Sequence, residues 1–82
     1  MTPTAADIER HVFQAFEDFG VDPAAINRNA LLEDLEVDSL DLVELGQTLK
    51  KTYGIVVRPK DFTDVKTVSD ALGVVETKFA EL

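Results

Sequence analysis

Ser39 stands among carboxylates, with Glu33, Asp34, Glu36, Asp38, Asp41 and Glu44 around it and no base in that run. Several kinds of chemistry use such residues, and each has further requirements. A serine nucleophile needs a general base and a third group to orient the base. The sole histidine, His11, falls on a different helix, and nothing in the sequence brings it to Ser39. A calcium loop could start at Asp34, since Asp34, Glu36 and Asp38 alternate. Its sixth position would then be Ser39 in place of glycine, and its twelfth Leu45 in place of a bidentate glutamate. Paired carboxylates for hydrolysis work across a substrate pocket, whereas these lie on a solvated helix start. With no Cys and no second His, neither a catalytic thiol nor a transition-metal site can be assembled. Taken alone, Asp38-Ser39-Leu40 is a helix cap.

The elements that position Ser39 follow from periodicity. Asp38 and Ser39 are both suitable N-caps, with Asp41 and Glu44 in the first turns after them. Leu42, Leu45, Leu49 and Tyr53 recur at helical spacing. Gly54 offers a left-handed stop, and Ile55 can pack back on the last turn; Lys50 and Lys51 suit the negative end of the helix dipole. Upstream, Thr4 and Asp7 predict a capped first helix with Ile8, Val12, Ala15, Phe16 and Phe19 on one face, Phe13 at its flank, His11 beside the stripe and Gly20 at its end. The long connection from Gly20 to Asp38 is expected to be pinned by Val21, Ile26, Leu31, Leu32 and Leu35. Within it, Pro23-Ala24-Ala25 can form a helical turn capped by Asp22. Ile55-Val56-Val57 reads as an extended linker, and Pro59 keeps Arg58 out of helix. Lys60 to Val65 is expected to form a short third helix with Phe62 and Val65 turned inward. Thr67 caps a last helix whose stripe is Val68, Ala71, Leu72, Val75 and Phe79. The fold class expected is an all-α four-helix bundle with a short third helix and a long first loop.

The segment Leu35-Glu36-Val37-Asp38-Ser39-Leu40-Asp41 resembles the phosphopantetheine attachment site of acyl carrier proteins, where the serine follows aspartate and precedes leucine. The resemblance continues through Val43-Glu44-Leu45, Tyr53-Gly54-Ile55, Pro59 and Thr67-Val68, and covers nearly the whole chain. It implies a discrete, bacterial-type acyl carrier forming one domain over residues 1–82. Ser39 would then accept 4′-phosphopantetheine from coenzyme A through a separate phosphopantetheinyl transferase. Acyl intermediates would ride as thioesters on the thiol of that arm, so the chain itself would be a carrier and not an enzyme. Docking is implied at Asp38, Leu40, Asp41, Val43, Glu44 and Gln47, for the transferase and for ketosynthases, acyltransferases or ligases.

The sequence departs from the family pattern in places. Many members have glycine where Glu36 stands, although some bacterial fatty-acid carriers have an acid there. Gln47 replaces a usual hydrophobic residue, Lys50 and Lys51 replace usual acids, and Arg58 and Lys60 replace residues that are often apolar or acidic. These changes fit either dipole complementation on a solvated face or a carrier fitted to dedicated partners, as in polyketide or mixed peptide–polyketide assembly. Gly46, mid-helix and beside the buried stripe, has two readings as well. It can admit close packing by the third helix around Phe62, or leave room for cargo where family members often have a bulkier apolar residue.

With 82 residues the chain suits one small core. Its 16 acids against 8 bases give a formal net charge of −8, which argues against nucleic acid and favours basic, salt-sensitive partners. No apolar run approaches a membrane span, and the N-terminus lacks a signal pattern. The expectation is a cytoplasmic monomer without a membrane partner. The alternative from another class is an unmodified, carrier-like acidic interaction module.

Overall fold

The computed structural model describes residues 3–81; Met1, Thr2 and Leu82, at the ends of the expected domain, lie outside the described residues. Three α-helices start at reciprocal caps: α1 (Ala5–Asp18), α2 (Ser39–Tyr53) and α3 (Val68–Ala80). In each, the N-cap side chain accepts from the N3 amide and the N3 aspartate accepts from the N-cap amide. The pairs are Thr4 with Asp7, Asp38 with Asp41, and Thr67 with Asp70. Two orphan donors of each first turn are satisfied in this way. Gly54 closes α2 with φ 75°, and its N–H donates to the Lys50 carbonyl at 2.9 Å, the left-handed stop that favours glycine.

The buried stripes meet as the periodicity predicts. Ile8, Val12, Ala15 and Phe16 of α1 face Leu45 and Leu49 of α2 and Val68, Ala71, Leu72, Val75 and Phe79 of α3 within one core. Ile55 and Val57 of the extended linker are buried and Val56 between them is exposed, the alternation of an extended segment. The first loop contributes Leu32 and Val37 to the core, with Val21, Ile26 and Leu35 partly buried against it. Its 3₁₀ turn at Pro23–Ala25 is capped by Asp22.

Backbone hydrogen bonds bind that loop to the start of α3. Leu32 N–H donates to the Lys66 carbonyl (2.8 Å), Val68 N–H to Ala30 (3.0 Å) and Ser69 N–H to Arg28 (2.9 Å), with an isolated antiparallel bridge between Leu31 and Thr67. Arg28 also reaches Glu9 of α1 at 2.9 Å. Leu31 is therefore held by its backbone, while its side chain is 42% exposed. The inward anchors at this point are Leu32 and Val37, so the expectation that Leu31 pins the loop through its side chain is corrected.

The short third helix is a 3₁₀ turn at Pro59–Phe62, so the all-α fold has three α-helices among the described residues. Bonds from Asp61 N–H to Arg58 and from Thr63 N–H to Lys60 span three residues each. Pro59 removes a donor at the start, and so short a piece favours the tighter winding. Phe62 is buried and Val65 partly buried, as their inward reading required. The Lys78–Asp61 ion pair, 3.4 Å, ties the turn to α3.

Gly46 is explained by close approach, though from a different neighbour than the third helix. A Cβ built there would lie 2.7 Å from the Val57 carbonyl oxygen. The linker backbone thus rests directly on α2, with Ile55 and Val57 anchored in the core on either side. Gly46→Ala should destabilise the protein despite alanine's helix preference of about 1 kcal/mol, because the backbone carbonyl must move. Gly46→Val should cost on the order of 1–3 kcal/mol. Urea unfolding of the unmodified protein checks both, and an unchanged or raised midpoint for either variant contradicts the close-contact account.

Candidate functional site

The approach to α2 is one wound turn, Leu31 to Val37, closed in a specific way. Val37 N–H donates to the Leu32 carbonyl (3.0 Å) and Glu36 N–H to Glu33 (3.1 Å), while Glu36 has φ 59°. This is a Schellman closure, with Glu36 in the left-handed position and the buried pair Leu32 and Val37 as its apolar contact. A left-handed conformation costs a residue with a Cβ roughly 1–2 kcal/mol. The glycine that many family members have at this point thus has a backbone reason, which spacing within the sequence did not reveal. Val37, buried between the exposed acids Glu36 and Asp38, is a core residue that periodicity does not reveal.

The cap assignment decides what Ser39 is free to do. Asp38 is the N-cap, with its carboxylate accepting from the amides of Leu40 (3.0 Å) and Asp41 (3.1 Å), and Asp41 returns a bond to the Asp38 amide (3.3 Å). Ser39 becomes the first helical residue, exposed, with its hydroxyl outside these bonds. Two of the amides that would otherwise receive an anion at a helix N-terminus, those of Leu40 and Asp41, are engaged by Asp38. A phosphate on Ser39 would also meet the charges of Asp38 and Asp41.

The expected docking residues share the outer side of the helix. Asp38, Glu44 and Gln47 are exposed, Asp41 and Val43 are partly exposed, and Leu40 is 75% exposed beside Ser39. Ser39 also borders an open groove of about 720 Å³ with apolar walls at Leu31, Val37, Leu42 and Val65 and with Glu33, Glu36 and Lys66 along it.

His11 has a different place. Its Nε2 lies 2.9 Å from Thr48 Oγ1, which donates to the Leu45 carbonyl at 2.8 Å, so the imidazole is the donor to Thr48. Its ring packs on Tyr53 at a centroid distance of 5.4 Å. Thr48 follows Ser39 by nine residues, about 14 Å along the helix, so His11 serves as a clasp between α1 and α2 and not as a base for Ser39. Burial holds its pKa below the ordinary 6.5.

The geometry meets a known family here. Residues 13–75 match the family described as "Phosphopantetheine attachment site". The chain belongs to the acyl carrier family. It is 39% identical over 72 residues to "Acyl carrier protein 2" of Ralstonia nicotianae, covering 87% of this chain and 86% of that one. It is 36% identical to the acyl carrier protein of Chlamydia caviae, covering 76% of this chain and 82% of the other. Among solved structures it is similar to the 3,7-dioxo-octyl actinorhodin acyl carrier protein of Streptomyces coelicolor, with a TM-score of 0.70 and 26% identity over 98% of this chain and 94% of that one. As a member of this family the chain is a carrier whose group is 4′-phosphopantetheine, added and used by separate enzymes. The exposed, uncommitted hydroxyl of Ser39 fits that group, which supplies a thiol for thioester bonds when attached.

Two predictions arise from the residues around the site. Glu36→Gly should relieve the left-handed strain and stabilise the protein by about 1 kcal/mol, read as a raised urea midpoint; a lowered midpoint contradicts the strain argument. For His11, a folded-state pKa below the unfolded one means that the unfolded chain takes up the proton first. Its contribution is therefore complete above pH 6.5 and declines as pH falls through 6.5 toward the folded value. The thermal midpoint should fall between pH 7.5 and 5.5, and His11→Gln, which keeps an amide donor for Thr48, should flatten that decline. A wild-type profile that is level over this range contradicts it. A further loss below about pH 4 belongs to Asp7, Asp61 and Asp70, each held below its ordinary 3.8 first by a backbone amide, that of Thr4, Arg58 and Thr67 respectively.

Proposed function

We propose that Ser39 is the residue that carries 4′-phosphopantetheine, and that residues 1–82 act as one cytoplasmic, monomeric carrier domain in polyketide or related specialised biosynthesis. The observation that carries the site assignment is the division of labour at the mouth of α2, where Asp38 makes the cap and Ser39 keeps an exposed hydroxyl. The chain's one imidazole, His11, is held on Thr48, about 14 Å along the helix from Ser39, so in this reading the hydroxyl proton passes to a base of the transferase or to solvent. The pathway reading is supported by the likeness to a carrier of the actinorhodin system. It is supported also by Gln47, Lys50 and Lys51, which depart from the apolar and acidic residues of fatty-acid carriers. Among the described residues no helix is long and apolar enough to cross a membrane.

In this reading Asp38, Leu40, Asp41, Val43, Glu44 and Gln47 form the surface on which a basic transferase and later the ketosynthases, acyltransferases or ligases settle. Leu40 gives an apolar contact beside the serine, and the carboxylates steer encounter.

Incubation with coenzyme A and a broad-specificity phosphopantetheinyl transferase should add one 4′-phosphopantetheine by intact mass, and Ser39→Ala should abolish the addition. As Ser39 is not the cap, the alanine variant should keep its helical signal and a stability within about 0.5 kcal/mol of the parent. Asp41→Lys or Glu44→Lys should slow loading, and rising salt should slow it in the parent. Loading of the Ser39→Ala chain would displace the site, and absence of loading in the parent would favour an unmodified interaction module.

A further inference from the structure

We infer that the far end of α2, with the Val56–Pro59 segment resting on it, is a second docking surface of opposite sign to the one at Ser39, fitted to an acidic patch on a partner protein. The inference rests on the reading that this carrier is handled by protein partners. It adds where one of them holds the chain and by what chemistry.

The surface exists because of Gly46. The absent Cβ lets the Val57 carbonyl settle on the helix, so that Val43, Gln47 and Lys50 of α2 line one groove with Val56, Arg58 and Pro59 of the linker. This groove has two cations and no carboxylate along it. In a chain with 16 acids that is unusual, as each of four larger grooves on the surface has at least two carboxylates. Val56 is 51% exposed at this groove while Ile55 and Val57 on either side are buried. An apolar side chain thus stands in solvent between Lys50 and Arg58, the pattern of a small contact site with a charged rim.

Among the described residues the ion pairs involve Arg10, Arg28 and Lys78, and neither Lys50 nor Arg58 takes part. The helix dipole accounts for Lys50, in the last turn of α2. It does not account for Arg58, which lies beyond the helix end and begins the next turn.

The occupant follows from charge and size. A long polyanion would be repelled by a chain of net charge −8 and by the carboxylates at the mouth of α2. A folded partner with a local acidic patch is not, provided that its surface turns neutral or basic toward Ser39. Lys50 lies eleven residues from Ser39, about 16 Å along the helix. A standard interface of roughly 800 Å² per partner is about 30 Å across, wide enough to cover both ends. The partner then has carboxylates opposite Lys50 and Arg58, an apolar recess for Val56, and cations opposite Asp41 and Glu44. Two signs along one helix fix the orientation in which the carrier docks, since a reversed approach sets like charges together.

The test places a photo-crosslinking residue at position 56 of the full chain, loaded at Ser39 and verified by intact mass, with the unloaded chain run in parallel. Both are irradiated in extract of the producing cells, and the crosslinked peptides are sequenced. The expected result is a crosslink to another protein, in a segment where Asp and Glu outnumber Lys and Arg. The double variant Lys50→Glu with Arg58→Glu should lower its yield at least about tenfold, and Lys50→Gln with Arg58→Gln should lower it less. Loading by the transferase and the helical signal should stay at the parent's level in both. A crosslink to a base-rich segment, a crosslink to a second copy of the chain, no crosslink, or a yield indifferent to charge reversal overturns the inference. Failure of loading in the parent would instead count against Ser39 as the attachment residue.

Discussion

The carboxylate of Asp38 is the interaction on which the functional end of this molecule depends. It satisfies two amides of the first turn of α2, Leu40 and Asp41, and Asp41 returns the bond. If Ser39 held that position, its hydroxyl would be consumed by the helix and modifying it would remove a cap worth about 1 kcal/mol. Moving the cap one residue upstream separates the two tasks. The helix is closed by Asp38, and the Ser39 hydroxyl, proposed to receive the arm, is left outside the capping bonds. The same carboxylate occupies two of the amides that would attract a phosphate, Leu40 and Asp41, which disfavours a phosphate folded back onto the helix end.

That arrangement needs a firm approach, and the long first loop supplies it through the backbone. Its bonds to Lys66, and those from Val68 and Ser69, fix residues 28–32 against the start of α3. The Schellman closure at Glu36 then turns the chain into Asp38 while Leu32 and Val37 enter the core. Ser39 is thus positioned by two secondary-structure ends at once, that of the loop's wound turn and that of α2. The strain at Glu36 is accepted where the turn must have a left-handed residue, and the buried Leu32–Val37 contact offsets part of it.

Much of this was legible in the residues. The three buried stripes, the caps at Thr4 and Thr67, the Gly54 stop and the Asp22-capped turn all express local rules acting over three or four positions, and the structure obeys them. At the mouth of α2 the same rules left Asp38 and Ser39 as equal candidates, because both types cap well; only the three-dimensional direction of the carboxylate separates them. Leu31 illustrates a second limit. Adjacent leucines in an irregular loop carry no period, so the choice of Leu32 over Leu31 for the core depended on a bridge to Thr67 far along the chain. The short third helix is present as a 3₁₀ turn, since periodicity does not distinguish α from 3₁₀ over four residues. Of the two readings of Gly46, close approach is the one the structure shows, but the partner is the Val57 carbonyl of the linker and not the third helix around Phe62. Tertiary contacts between irregular segments were the common gap.

The claim that Asp38 closes the helix and leaves Ser39 structurally idle can be read directly from amide hydrogen exchange at Leu40 and Asp41 by NMR. Removing the cap with Asp38→Ala should accelerate exchange at both amides. Attaching 4′-phosphopantetheine to Ser39, or replacing it by alanine, should leave both close to their rates in the unmodified protein. Unchanged exchange in Asp38→Ala together with faster exchange after modification of Ser39 would show that the serine hydroxyl holds the helix, and would contradict the account.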